Sequence, residues 1–273
     1  MATKYYYPVL SNKDFSWFRI GGPGLANCMF FAANAYVSAV IFGGKYVSPT
    51  WRKFSIGPIL RGERDKRVYN SLFNDTGING IRKAWIILTY KLFGRRDVEV
   101  YNKLGNFFQN LNKHVPLVQE YFDKILKSET ISKVDAQQMK EMVAVHVRLG
   151  DYVPEMRVDI NWYREVIENI MKERPQQQFA LFSDGSDEEL KPLLVIPNVK
   201  RYFFGNAFAD MWAISKSKFV IASDSTFSAW GAFLGQRPIL FSKRHFPPVY
   251  DGKVPEAVIG TATDLPSEFM AYL

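Results

Sequence analysis

Met142-Val143-Ala144-Val145-His146-Val147-Arg148-Leu149-Gly150-Asp151-Tyr152-Val153 is an apolar run that ends on a glycine turn and an aspartate. Beyond it, short apolar runs alternate with segments of helical period: Trp162–Glu173, Phe179–Ser183, Asp187–Leu194, Lys200–Phe204, Ala209–Ser217, Phe219–Ser223, Ser225–Gly235 and Pro238–Ser242. Strands that alternate with helices predict a doubly wound α/β domain on a mostly parallel sheet. Period two on the first strand sets Val143, Val145, Val147 and Leu149 on one face and Ala144, His146 and Arg148 on the other. His146 and Arg148 therefore share a face at the carboxyl end of a strand, where open α/β sheets bind their ligands and where an arginine can clamp a phosphate. The same spacing fits an edge strand with a wet face, with Arg148 and Asp151 merely pinning the turn.

The first half starts in a similar way, with an apolar stretch at Phe15–Ile20, a glycine turn and a long apolar helix from Ala26 to about Val40. Further on it is less regular and mainly helical. Two α/β domains facing across a cleft are the simplest architecture, 1–140 and 141–273, each large enough to bury a core. No repeat or low-complexity tract interrupts them.

Composition narrows the function classes. A 47% hydrophobic content with 15% aromatics excludes a disordered chain. The single cysteine, Cys28, excludes an internal disulfide. The N-terminus lacks the apolar core of a signal peptide, and no stretch reaches the ~18 apolar residues of a spanning helix, so a soluble cytoplasmic protein is expected. A formal net charge of +8 predicts an anionic partner. No nucleic-acid signature accompanies it, which leaves a phosphorylated small molecule or an acidic lipid surface. Ile81–Arg96 holds five cations and no anion on a bulky apolar body. It reads as a core helix with a basic end, or as a peripheral contact with anionic membrane.

Two further segments could hold phosphate. Phe219-Val220-Ile221-Ala222-Ser223-Asp224-Ser225-Thr226-Phe227 is a buried strand that runs into hydroxyl residues opening a helix, so its N–H groups and dipole suit an anion; simple helix capping by Ser or Asp fits equally. Gly21-Gly22-Pro23-Gly24-Leu25-Ala26-Asn27 is a tight turn opening a helix, but neither a P-loop nor a dinucleotide fingerprint. His114, His146 and His245 are scattered, which gives no zinc pattern, and no Asp-x-Asp exists to hold a divalent metal against a diphosphate. No Gly-x-Ser-x-Gly elbow marks a serine hydrolase.

Taken in order, Gly21–Phe30, His146–Val153 and Ser223–Leu234 resemble the bacterial-type α-1,2-fucosyltransferases, an inverting GT-B, glycosyltransferase family 11-like group. That family shows Gly-Gly-Leu-Gly-Asn-Gln-Met/Leu-Phe, His-x-Arg-Arg-Gly-Asp-Tyr-Val and Asn-Ser-Ser/Thr-Phe-Ser-Trp-Trp-Gly-Ala. Phe182-Ser183-Asp184 and Ala209-Asp210-Met211-Trp212 resemble two of its intervening elements. The chain departs from the pattern at Cys28 (Gln), Leu149 (the second Arg), Gly185 (a second Asp) and Ala229 (Trp), with a small insertion at Pro23.

The resemblance implies fucosyl transfer from GDP-fucose to a glycan hydroxyl, with inversion and without a metal or other cofactor. It implies that Arg148, with Ser225, Thr226 and Phe227, holds the donor's phosphate. His146 and Asp210 would lie around the guanine, Asp184 near the ribose, and Asn27 would reach the donor from the N-terminal, mainly acceptor-binding domain. Asp151 is the candidate base or acceptor-orienting carboxylate beside Arg148. The acceptor could be lipid-linked, and a bacterial or viral source is expected. Another nucleotide sugar or linkage on the same scaffold, and a non-catalytic glycan- or nucleotide-binding module, stay open. Convergence of His146, Arg148 and Asp151 with Ser225 would separate the last from an enzyme.

Overall fold

The structure is a computed structural model that describes residues 3–54, 69–150 and 152–273. Contacts divide the chain into two units, Met1–Thr130 and Ile131–Leu273.

In the first unit, β1 (Tyr5–Pro8) is flanked by β4 (Lys45–Tyr46) and β6 (Val98–Tyr101) in a parallel three-stranded sheet. A second small sheet pairs β2 (Lys13–Asp14) antiparallel with β3 (Arg19–Ile20), and β3 parallel with β5 (Lys53–Phe54). Helix α1 (Leu25–Ile41) is apolar nearly all round and correspondingly buried. Helix α2 (Gly80–Phe93) ends where Gly94 takes the left-handed conformation, and α3 (Val115–Ile125) carries Pro116 in its first turn.

The sequence reading that takes Phe15–Ile20 for the first strand is corrected here. The central strand is Tyr5–Pro8, and Phe15 and Trp17 are exposed on the β2–β3 hairpin. Tyrosine disguises β1 in the sequence: Tyr6 and Tyr7 are buried, although each ring ends in a polar hydroxyl.

The second unit begins with α4 (Ala136–Lys140), capped by Asp135, which packs in this unit rather than closing the first. It continues through β7 (Met142–Val147), α5 (Ile160–Glu173), β8 (Gln178–Ser183), α6 (Lys191–Leu194), β9 (Val199–Arg201), α7 (Ala207–Lys216), β10 (Val220–Ala222), α8 (Thr226–Gly235), β11 (Ile239–Phe241) and β12 (Glu256–Val258). All six strands are parallel in the order β12-β11-β10-β7-β8-β9. The chain thus leaves β7 toward one edge, returns, and leaves β10 toward the other, which is the doubly wound arrangement.

β7 is a central strand, hydrogen-bonded on both sides and buried at all six positions, so the edge-strand reading falls. Val143, Val145, Val147 and Leu149 share one core with Trp162, Tyr163, Val166, Ile167 and Ile170 of α5. This is the period-two face, met by the buried stripe of an amphipathic helix. On α8, a Cβ at Gly231 would stand 2.6 Å from Ile214 Cγ2 of α7, so glycine is what lets the two helices close.

Candidate functional site

β7 and β10 are neighbours whose chain connections run in opposite directions, so their carboxyl ends form the topological switch point at which open α/β sheets bind ligands. His146 and Arg148 leave β7 there, and Ser223, Asp224 and Ser225 leave β10.

His146 is buried, paired in register with Ala222 on one side and Phe182 on the other. Its carbonyl accepts the Ser223 N–H (2.9 Å), its Nδ1 shares a hydrogen bond with Ser223 Oγ (2.9 Å), and its ring stacks on Phe227 at 5.1 Å. Burial lowers its pKa to about 3, opposed by the Asp184 carboxylate and assisted by Arg148. His146 is therefore a neutral imidazole at physiological pH, fit to hydrogen-bond and stack rather than to carry charge.

Arg148 is partly exposed and supplies the positive charge. Its Nη1 lies 2.6 Å from Asp184 Oδ2, and its guanidinium sits 5.5 Å from the Tyr152 ring centre. Asp184 Oδ1 accepts the Leu149 N–H at 2.8 Å, so one carboxylate fixes both the arginine and the backbone beside it. A Cβ at Gly150 would fall 2.5 Å from Asp184 Oδ2, which is why a glycine stands there. Tyr152 crosses to the other strand end by donating its hydroxyl to the Asp224 carbonyl (3.1 Å).

Ser225 caps α8, its Oγ accepting the Phe227 N–H at 3.2 Å. Thr226 and Phe227 form the first turn at the positive end of the helix dipole. Asp224 Oδ1 accepts the backbone N–H of His245 at 3.0 Å and lies 2.7 Å from its Nδ1, which ties the loop after β11 to the site.

Asp210 lies in the first turn of α7, and its Oδ1 accepts the Phe204 N–H at 2.8 Å. The Phe204 ring packs with those of Phe182 and Tyr202, and Phe182 is the register partner of His146 on β8. His146, Arg148, Asp184, Ser225, Thr226 and Phe227 are thus brought together, with Asp210 on α7 bonded to the chain at Phe204. Asp151 lies outside the described residues. Asn27 belongs to the first unit, in the first turn of α1, where it is partly buried. Ser223 and Tyr152 lie within the quoted motifs but carried no assigned role; here they orient the imidazole and join the two strand ends.

The match to a family sequence profile follows this geometry: glycosyl transferase family 11 over residues 82–240, more than half of the chain. The chain belongs to glycosyl transferase family 11. The family match takes in both strand ends of the switch point and stops short of the Gly21–Phe30 turn. Two solved structures share the fold. One is fucosyltransferase NodZ from Bradyrhizobium (TM-score 0.52, 14% identity, 89% of this chain and 96% of that chain covered). The other is NodZ α-1,6-fucosyltransferase soaked with GDP-fucose (TM-score 0.51, 14% identity, 87% and 94% covered). Comparison with curated proteins finds no match. This family 11 chain is a glycosyltransferase of the GT-B fold class.

The first unit holds a separate concavity of about 540 Å³ lined by Trp17, Thr50, Trp51, Asp75, Asn79 and Lys83, among others. Lys83 donates to Thr50 Oγ1 at 2.8 Å, and burial lowers its ammonium to about 8, against the pull of Asp14 and Asp75.

Proposed function

We propose that this chain transfers L-fucose from GDP-fucose to a glycan hydroxyl with inversion, making an α-1,2 linkage. The observation that carries the reading is Arg148, held by Asp184, at the end of β7 and the capped N-terminus of α8 at the end of the neighbouring strand β10. Arg148 neutralises the departing diphosphate, and Ser225, Thr226 and Phe227 add oriented donors at the dipole's positive end. His146, neutral and stacked on Phe227, packs toward the guanine together with Asp210, and Asp184 holds Arg148 in place beside the ribose. The acceptor oxygen attacks the anomeric carbon as the bond to the β-phosphate oxygen breaks. GDP leaves with that electron pair, and Asp151 takes the acceptor proton.

NodZ, which shares the fold and has been soaked with GDP-fucose, supports the donor; its own linkage is α-1,6. The absence of Asp-x-Asp in the sequence, with fixed cationic and N–H groups at the site, supports a metal-independent leaving group. The test is nucleotide release from a panel of nucleotide sugars with EDTA present, followed by linkage analysis of the product. GDP-fucose as the productive donor and a β-anomer-to-α-linkage inversion are expected. Preference for another nucleotide sugar, or loss of turnover in EDTA that a divalent ion restores, overturns the corresponding part.

A further inference from the structure

Helix α2 is apolar on two sides. One side is spent in the fold: Ile86 and Ile87 pack with Tyr7, Val47 and Val98. On the other side Ile81, Trp85, Leu88 and Leu92 are 84%, 63%, 50% and 65% exposed, and Phe93 beside them 75%. Steps of four, three and four residues put the first four on a single helical stripe. A globular helix with one buried face normally turns polar side chains outward; this one turns out a second apolar face.

The β2–β3 hairpin extends that face. Lys91 Nζ donates to the Asp14 carbonyl at 2.7 Å and lies 6.0 Å from the Phe15 ring centre, which fixes the hairpin alongside the helix. Phe15 and Trp17 are both more than half or about half exposed, and Phe15 continues through Phe18 to the exposed Phe54 by ring contacts of 5.1 and 5.4 Å. Contiguous apolar surface of this kind marks an interaction site.

Charge selects the occupant. Of the five cations in 81–96, Lys83 is buried against Thr50, Arg95 pairs with Asp97 and Lys91 is held on the Asp14 carbonyl, while Arg82 and Arg96 lie on exposed positions at the two ends of the stripe. No acidic side chain occurs in the segment. Packing two copies antiparallel through this stripe would oppose Arg82 to Arg96 on chains that each carry +8, so self-association is disfavoured. Spanning is excluded by length, since 14 residues fall short of the ~20 required, and by the buried inner face.

We infer that α2 and the β2–β3 hairpin form a monotopic docking face that lies in the headgroup region of an anionic lipid bilayer, with Trp85, Leu88, Leu92 and Phe93 inserted and Arg82 and Arg96 on the phosphates. The inference stands apart from the donor assignment, because its readout uses no nucleotide sugar.

The test is co-sedimentation of the full chain with phosphatidylcholine vesicles, with and without phosphatidylglycerol. Binding to the anionic vesicles that weakens with added salt is expected. Arg82→Ala and Arg96→Ala should each weaken it about fivefold. Trp85→Glu/Leu92→Glu should abolish it while leaving the thermal unfolding midpoint unchanged, since both side chains are exposed. Equal recovery in the supernatant with both vesicle types overturns the inference. So does a dimer in light scattering that Trp85→Glu/Leu92→Glu separates, which would assign the face to a second copy.

Discussion

In the second unit four of the buried polar side chains, His146, Ser223, Asp224 and Ser225, gather at the carboxyl ends of β7 and β10. In the first unit Asp14, Arg19, Thr50, Lys53 and Lys83 are as deeply buried but knit loops together. Asp14 accepts from Tyr7, Thr50 and the Ser16 N–H; Arg19 donates to the carbonyls of Thr50, Leu10 and Gly21; Lys53 donates to Gly22. Where strands are long and parallel, the sheet satisfies the backbone and leaves buried polar side chains for a ligand. Where strands are two residues long, side chains must satisfy the loop backbone instead. Burial of polar groups does not mark a site by itself; their position relative to strand ends does.

The comparison breaks first at Arg19. Arg19→Met keeps much of the volume but leaves three carbonyls without their donor, a loss of about 3 kcal/mol or more. Urea unfolding should show a lowered midpoint, with any surviving folded fraction retaining normal donor affinity in the second unit. An unchanged midpoint would make the network incidental.

Arg148→Ala is the mirror case. Its guanidinium is partly exposed and, on the proposed function, meets the diphosphate, so the unfolding midpoint should hardly move while turnover falls about 10²-fold or more, the scale of losing a major electrostatic stabiliser. Near-normal turnover with a large stability loss would place Arg148 with Arg19, as a structural cation.

These two arginines also show what can be read in a sequence. Arg148 stood out as a candidate because it follows a six-residue apolar run broken only by His146, and the end of such a strand is where ligands sit in these sheets. Ser225 was legible because a hydroxyl between a buried run and a helix has few local roles. Arg19 was hidden inside a stretch that reads as an apolar strand, Phe15–Ile20, in which the aromatic rings turn out and the cation turns in. The bonds that orient the site, Asp184 to Arg148, Ser223 to His146 and Tyr152 to Asp224, join residues too far apart in the chain to leave any periodic trace.

His146 sharpens the comparison through pH. In the unfolded chain it takes a proton near the ordinary 6.5, whereas burial holds the folded group off until about 3. The unfolded state therefore binds the extra proton between those values. This contribution to stability is complete above pH 6.5 and is lost as the pH falls below it, by about 1 kcal/mol per pH unit. Urea unfolding at pH 6.5 and 5.0 should show the decline, and His146→Asn should lack that component. An equal decline in the variant would assign it to other groups.

The smallest effect concerns two departures from the family pattern, Leu149 in place of the second arginine and Gly185 in place of the second aspartate. They adjoin: a Cβ at Gly185 would lie 2.5 Å from Leu149 Cδ1, and Leu149 is part of the β7–α5 core. An arginine and an aspartate at these places would be near enough to pair. Here a leucine fills the space above a glycine, the apolar exchange that buried ion pairs tolerate well. Leu149→Arg alone puts an extra guanidinium into an apolar setting, and Gly185→Asp alone crowds the leucine by an overpacking of about 1–3 kcal/mol. If the two departures arose as one, the double variant should be more stable than the sum of the single losses by at least about 0.5 kcal/mol. Strict additivity in a double-mutant cycle would mean that each was accommodated separately.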